Sequence, residues 1–174
     1  MFVIVGALLG LSRPASALPQ EEPPQLTDVR LVALTVLYEA TNQPELGQRL
    51  VAHVAVNRWR DSGMSVEEVV FQEGQFLAWT DARKYNWLTC EVWNAEEECF
   101  TNLALRLLGG SPSGLDRWTT LLAMSSDVLA GEAAPLGFEG VKYFDNPDFW
   151  PDGMPPWAPY KEALGCVADH CFWR

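Results

Sequence analysis

Glu39 is the side chain most able to do chemistry, because it stands at the C-terminal end of an apolar run, in "LVALTVLYEATNQPELGQRLVAHVAVNR". A helix dipole disfavours negative charge at that end, and apolar neighbours such as Leu34, Leu37 and Tyr38 penalise the ionised form further. Both influences raise the pKa. A carboxyl that stays protonated near neutral pH is a general acid. The competing reading is a carboxylate that faces solvent or pairs with Arg58.

Other side chains fit a surface that binds a polar ring compound. Asn57 and Arg58, at the end of the second apolar run, can orient a substrate or Glu39 itself, or simply end a solvated helix. Gln75, Phe76 and Trp79 place aromatic faces beside an amide, as a sugar ring with apolar faces and polar edges requires. They also read as ordinary core aromatics, Phe76 above all. Tyr143, Trp157, Trp173 and His170 share that ambiguity, and eight tryptophans in 174 residues mean that several lie at the surface. A second carboxylate, if the chemistry needs one, has Asp81, Asp145 and Asp148 as candidates.

The elements that must position these residues follow from periodicity and caps. Thr27 or Asp28 is expected to cap a helix reaching about Ala40, with Val29, Val32, Val36 and Leu37 inward. Pro44 suits the first turn of a second helix, where Leu46, Leu50, Val51, Val54 and Trp59 recur at helical spacing until Ser62-Gly63. The two helices meet at Glu39. Ser65 and Glu68 form a capping box for a short helix that runs into a loop at Gly74. Asn102 to Leu108 and Leu121 to Ala130 read as helices with glycine stops. "GVKYFDN" is short and β-like, and "PDFWPDGMPPWAPY" is too rich in proline for regular structure. The expected class is α+β, mainly α, as one domain over residues 26–174 with a small β element near the C-terminus.

Charge narrows the partners. Twelve bases against 23 acids give a net charge of -11, which repels phosphate backbones and anionic membrane surfaces, so no nucleic acid is expected to bind. The apolar run from Phe2 to Leu11, followed by Ala15-Ser16-Ala17, reads as a signal peptide over residues 1–17. It lacks a basic start and is too short to span a bilayer. Residues 18–25 read as an extended linker. Four cysteines agree with export: Cys90 with Cys99 and Cys166 with Cys171 is the simplest of three pairings. The rival is a metal site from Cys166, His170 and Cys171, which lacks a second ligand pair and finds only His53 elsewhere.

Several of these stretches, in order, carry a family likeness. "LYEATNQPELGQRLVAHVAVNR", "VVFQEGQFLAWTD", "DVLAG", "GVKYFDN", "PPWA" and "GCVADHCFWR" resemble the successive blocks of the SleB/CwlJ cell-wall hydrolase family, over nearly the whole chain after the leader. The resemblance implies a lysozyme-like fold and cleavage of the peptidoglycan glycan strand, commonly by lytic transglycosylation, with no metal or other cofactor. It makes Glu39 the catalytic acid and His170 a groove residue. The family's Glu-Ala-Arg-Gly-Glu stands here as Glu39-Ala40-Thr41-Asn42-Gln43, and its Gln-Phe-Ser-Trp loop is one residue longer, Gln75-Phe76-Leu77-Ala78-Trp79. The expectation is a secreted or envelope enzyme, monomeric, of host or phage origin. The alternatives are a two-carboxylate muramidase, or an exported module that binds the wall without cutting it.

Overall fold

The structure, a computed structural model, describes residues 24–92, 97–151 and 153–174. The expected leader and most of the expected linker lie outside the described residues. Six helices precede a small sheet: α1 (Leu26–Ala40), α2 (Glu45–Ser62), α3 (Val66–Phe71), α4 (Asp81–Val92), α5 (Glu97–Leu108) and α6 (Pro112–Leu129). The strands are β1 (Tyr143–Asp145), β2 (Ala163–Val167) and β3 (His170–Trp173), with short 3-10 turns at Pro147–Phe149 and Ala158–Tyr160. The protein is mainly helical with a small C-terminal antiparallel sheet, as its sequence pattern predicts.

The centre of the molecule is α1. Every residue from Leu31 to Leu37 is buried, because α2, α3, α5 and α6 surround the helix and leave it no polar face. Truncating a fully buried member such as Leu34 to alanine would cost about 2–5 kcal/mol. Glu39 is carried on the last turn of this buried rod, at the point where it emerges. Arg117 of α6 donates to the Thr41 carbonyl just beyond, which gives the helix end a cation where its dipole favours one.

The helix starts differ from the expected caps. Neither Thr27 nor Asp28 caps α1; Gln25 holds the N-cap position with no side-chain hydrogen bond, and the first turn is exposed, with burial beginning at Val29. Pro44 is the N-cap of α2 rather than a residue of its first turn, and Leu46 is exposed while Gly47 is buried. The capping box of Ser65 and Glu68 forms as expected. Gly63 and Gly109 follow α2 and α5 with φ of 70° and 80°, the left-handed conformation that a side chain would strain. The sixth helix begins at Pro112, well before Leu121, because Ser111 accepts the Gly114 N–H and Pro112 takes the first helical position.

The sheet has the order β1-β3-β2, all antiparallel, with Tyr143 opposite Trp173 and Asp145 opposite Cys171. Asn57 and Arg58 at the end of α2 fasten it to the helices. Asn57 Nδ2 donates to the Val141 carbonyl at 2.8 Å and Arg58 Nε to the Lys142 carbonyl at 2.6 Å. Both disulfides form as the short-range pairing predicts. One joins Cys90 on α4 to Cys99 on α5, and the other joins Cys166 to Cys171 across the hairpin of β2 and β3. The second bond commits both thiols of the rival metal set to each other.

Candidate active site

Three segments converge on Glu39. The end of α1 supplies the carboxyl, the loop at 74–79 covers one side, and β1 with the residues after it forms the opposite wall. Between them lies an open cleft of about 380 Å³, lined by Glu39, Arg58, Gln75, Leu77, Tyr143, Phe144, Asp145, Asn146, Phe149, Trp157, Lys161 and His170, with Gly74 at the loop.

The loop is pinned to α1 at two positions one helical turn apart. The Ala78 N–H donates to Glu39 Oε1 at 2.9 Å, and the indole N–H of Trp79 donates to Thr35 Oγ1 at 2.9 Å. Thr35 and Glu39 are four residues apart, so they share a face of the helix. Trp79 is therefore an anchor in the core, only 4% exposed and edge-on to Tyr38 and Phe71, and it fixes the amide that meets the carboxyl. Arg83 completes the clamp: its guanidinium donates to the Ala78 carbonyl and lies 4.3 Å from the centre of the Tyr38 ring.

Burial pushes the Glu39 carboxyl above the usual glutamate range, against the lowering effect of the Ala78 hydrogen bond and of Arg83. Asp145 raises it further and Arg58 lowers it. Glu39 has no salt bridge to Arg58, and Oε2 has no hydrogen-bond partner among the described residues. One oxygen is thus oriented and the other is left for a ligand. The arrangement suits a group that gives and takes a proton.

Asp145 is the one second-carboxylate candidate that reaches the cleft. Its Oδ1 accepts the Asn146 N–H at 2.8 Å and its Oδ2 the Trp150 indole N–H at 3.1 Å, so both oxygens are held by the protein. Asp81 begins α4 and Asp148 lies exposed in a 3-10 turn, and neither lines the cleft.

The remaining expected site residues divide. Gln75, Tyr143, Trp157, Arg58 and His170 line the cleft together with Glu39. Phe76 is buried beneath it, with its ring 5.2 Å from the Arg58 guanidinium, and Trp173 is buried against Trp157. Asn57 does not line the cleft; it is bonded to the Val141 carbonyl just before β1, which holds the wall in place. His170 is 8% exposed, burial lowers its pKa, and among the described residues its Nδ1 has no hydrogen-bond partner.

Sequence reasoning missed Leu77, Asn146, Phe149 and Lys161. Leu77 is 81% exposed at the rim, in the Gln75-to-Trp79 loop whose added length is the signal that could have found it. The altered segment after Glu39 is not idle: Gln43 is buried, and its Nε2 lies 3.4 Å from Asp169 at the hairpin turn. Among the described residues no helix is long and apolar enough to cross a membrane.

No curated protein and no solved structure matches the chain. One family model does, over residues 42–173, so the matched span begins three residues after Glu39 and takes in every other residue of the cleft. Its description and the two disulfides agree with work in the envelope or outside the cell. The chain belongs to the Cell Wall Hydrolase family, enzymes that act on the peptidoglycan wall.

Proposed function

We propose that this protein cleaves the glycan strand of peptidoglycan as a lytic transglycosylase, with Glu39 as the single acid and base. The observation that carries the reading is the state of the Glu39 carboxyl, which is half-buried at an open cleft, held by one amide at Oε1 and unpaired at Oε2. In the protonated form it gives its proton to the glycosidic oxygen as the bond from that oxygen to C1 breaks. The resulting carboxylate then takes the proton of the sugar's own 6-hydroxyl, O6 bonds to C1, and a 1,6-anhydro ring closes. Glu39 ends protonated again, and no water is consumed.

Asp145 fits an electrostatic part in this scheme. Its negative charge favours the protonated form of Glu39 before the bond breaks and the positive charge at C1 while it breaks. Exposed Phe149 and half-buried Tyr143 and Trp157 offer faces for sugar rings. Export by the leader over residues 1–17 and action as a monomer complete the proposal.

One observation favours a second reading: Asp145 lines the same cleft, as a two-carboxylate muramidase would need for activating water or attacking C1. The engagement of both its oxygens by protein donors supports the first reading. Incubation with purified insoluble peptidoglycan separates them. Soluble fragments ending in 1,6-anhydro-muramic acid support the transglycosylase, whereas fragments with new reducing ends support the muramidase. Sedimentation of the protein with an intact wall and no soluble product would leave only a wall-binding module.

A further inference from the structure

Arg58 and Lys161 both line the cleft, and among the described residues neither has a carboxylate within salt-bridge distance. They flank the same ring. The Arg58 guanidinium lies 5.2 Å from the centre of Tyr143 and the Lys161 ammonium 4.2 Å from it. Lys161 donates to the Tyr143 hydroxyl at 2.9 Å, and among the described residues its other two donors are unspent and the buried Arg58 Nη1 has no acceptor. Trp157 stands beside them, its ring centre 5.5 Å from that of Tyr143.

A buried N–H without an acceptor is costly, and an anion would satisfy it. The net charge of -11 repels small free anions from the molecule at large. An anion held in this corner therefore has to arrive on a body that binds for other reasons, and a sugar ring set against Tyr143 and Trp157 is such a body. We propose that the corner formed by Arg58, Tyr143 and Lys161 is a subsite for a carboxylate carried as a side arm on the glycan, so that the protein selects acid-bearing sugars over neutral ones. This rests on the reading of the cleft as a glycan site. In peptidoglycan such a carboxylate has two sources, the lactyl arm of muramic acid and the peptide stem attached to it.

The test is a binding titration of the full chain carrying Glu39→Gln, to prevent cleavage, with three tetrasaccharides: chitotetraose, the alternating N-acetylglucosamine and N-acetylmuramic acid tetramer with free lactyl acids, and the same tetramer with peptide stems. An acid-bearing sugar should bind about tenfold tighter than chitotetraose, the discrimination of one charge-assisted hydrogen bond. The preference should shrink in high salt and in Lys161→Met, and persist in Lys161→Arg. A preference for the free-acid tetramer identifies the lactyl arm, and a preference for the stem-bearing tetramer alone identifies the peptide. Equal affinity for all three, or a preference indifferent to both salt and Lys161→Met, overturns the subsite and leaves the glycan reading standing. Failure of every sugar to bind removes both.

Discussion

Two charged surfaces lie on either side of the joint between α2 and β1, and they treat their charges in opposite ways. In the groove lined by Asn57, Arg60, Asp61, Glu139, Lys142 and Arg174, the cations are engaged. Lys142 meets Asp61 at 2.6 Å, Arg174 meets Glu162 at 2.7 Å, and Arg60 donates to the carbonyls of Val128 and Leu129. In the cleft, among the described residues, Glu39 keeps one oxygen without a partner, Arg58 keeps a buried N–H without an acceptor, and His170 Nδ1 is unmet. The same two neighbouring residues, Asn57 and Arg58, serve both sides. Buried polar atoms without a partner also occur at Gln43, His53 and Ser125, so what sets the cleft apart is that its open groups include a carboxyl and a guanidinium side by side on an open surface.

The largest effect expected from breaking this contrast is at Glu39. Glu39→Gln should lower the rate of wall solubilisation roughly 100- to 10,000-fold, while the amide can still accept the Ala78 N–H and binding to the wall survives. The same variant should be the more stable one at neutral pH. Because the folded-state pKa lies above the unfolded one, the stability that Glu39 contributes is complete below the unfolded value and declines as pH rises through the folded value. Thermal melts from about pH 4 to about pH 8 should show the advantage of Glu39→Gln growing with pH.

Next in size is the hairpin that carries His170. Replacing Cys166 and Cys171 together by serine should cost about 2–4 kcal/mol at most, toward the lower end for so short a loop, and loosen β2 against β3. Chemical denaturation compares the variants, and hydrogen exchange at Phe172 and Trp173 locates the loss.

Asp145→Asn keeps the shape of the cleft wall and removes one charge that holds Glu39 protonated. It should lower the rate about tenfold and shift the alkaline limb of the rate profile to lower pH, since the carboxyl then ionises sooner. A loss as severe as that of Glu39→Gln would make Asp145 a direct participant.

Smallest of all should be the paired groove. Lys142 and Asp61 are both well exposed, so Asp61→Asn should leave activity within about twofold and stability within about 1 kcal/mol. A large loss of activity there would erase the distinction between the two surfaces.

Local signals explain what the sequence made legible. The Ser65 and Glu68 box, the glycine after α2, the β1 segment and both cysteine pairs depend on neighbours within ten residues, and they form as the pattern predicts. The position of Glu39 at the end of α1 was legible from where the apolar run stops, whereas its part in the chemistry was implied by the family resemblance. Trp79 was not: its aromatic character fits a sugar platform, but a partner 44 residues away in sequence, Thr35, takes it into the core. Lys161 gave no signal just after a proline-rich stretch, because its meaning comes from Tyr143 and Arg58 brought in from β1 and α2. The α4 helix was hidden for a similar reason, since Trp87 buries itself against Trp79 and Phe100 rather than following a regular stripe. Among three candidate aspartates, only the register of β1 could select Asp145.

Whether Glu39 alone serves first as acid and then as base is decided by the source of the oxygen in the product. Insoluble peptidoglycan is digested in water enriched in heavy oxygen, and the newly formed muramic acid ends are weighed by mass spectrometry. Transglycosylation gives 1,6-anhydro ends, lighter by one water than hydrolytic ends and free of heavy oxygen, because O6 of the same sugar closes onto C1. New reducing ends that carry heavy oxygen at C1 would contradict it and transfer the second step to a water activated by another group in the cleft.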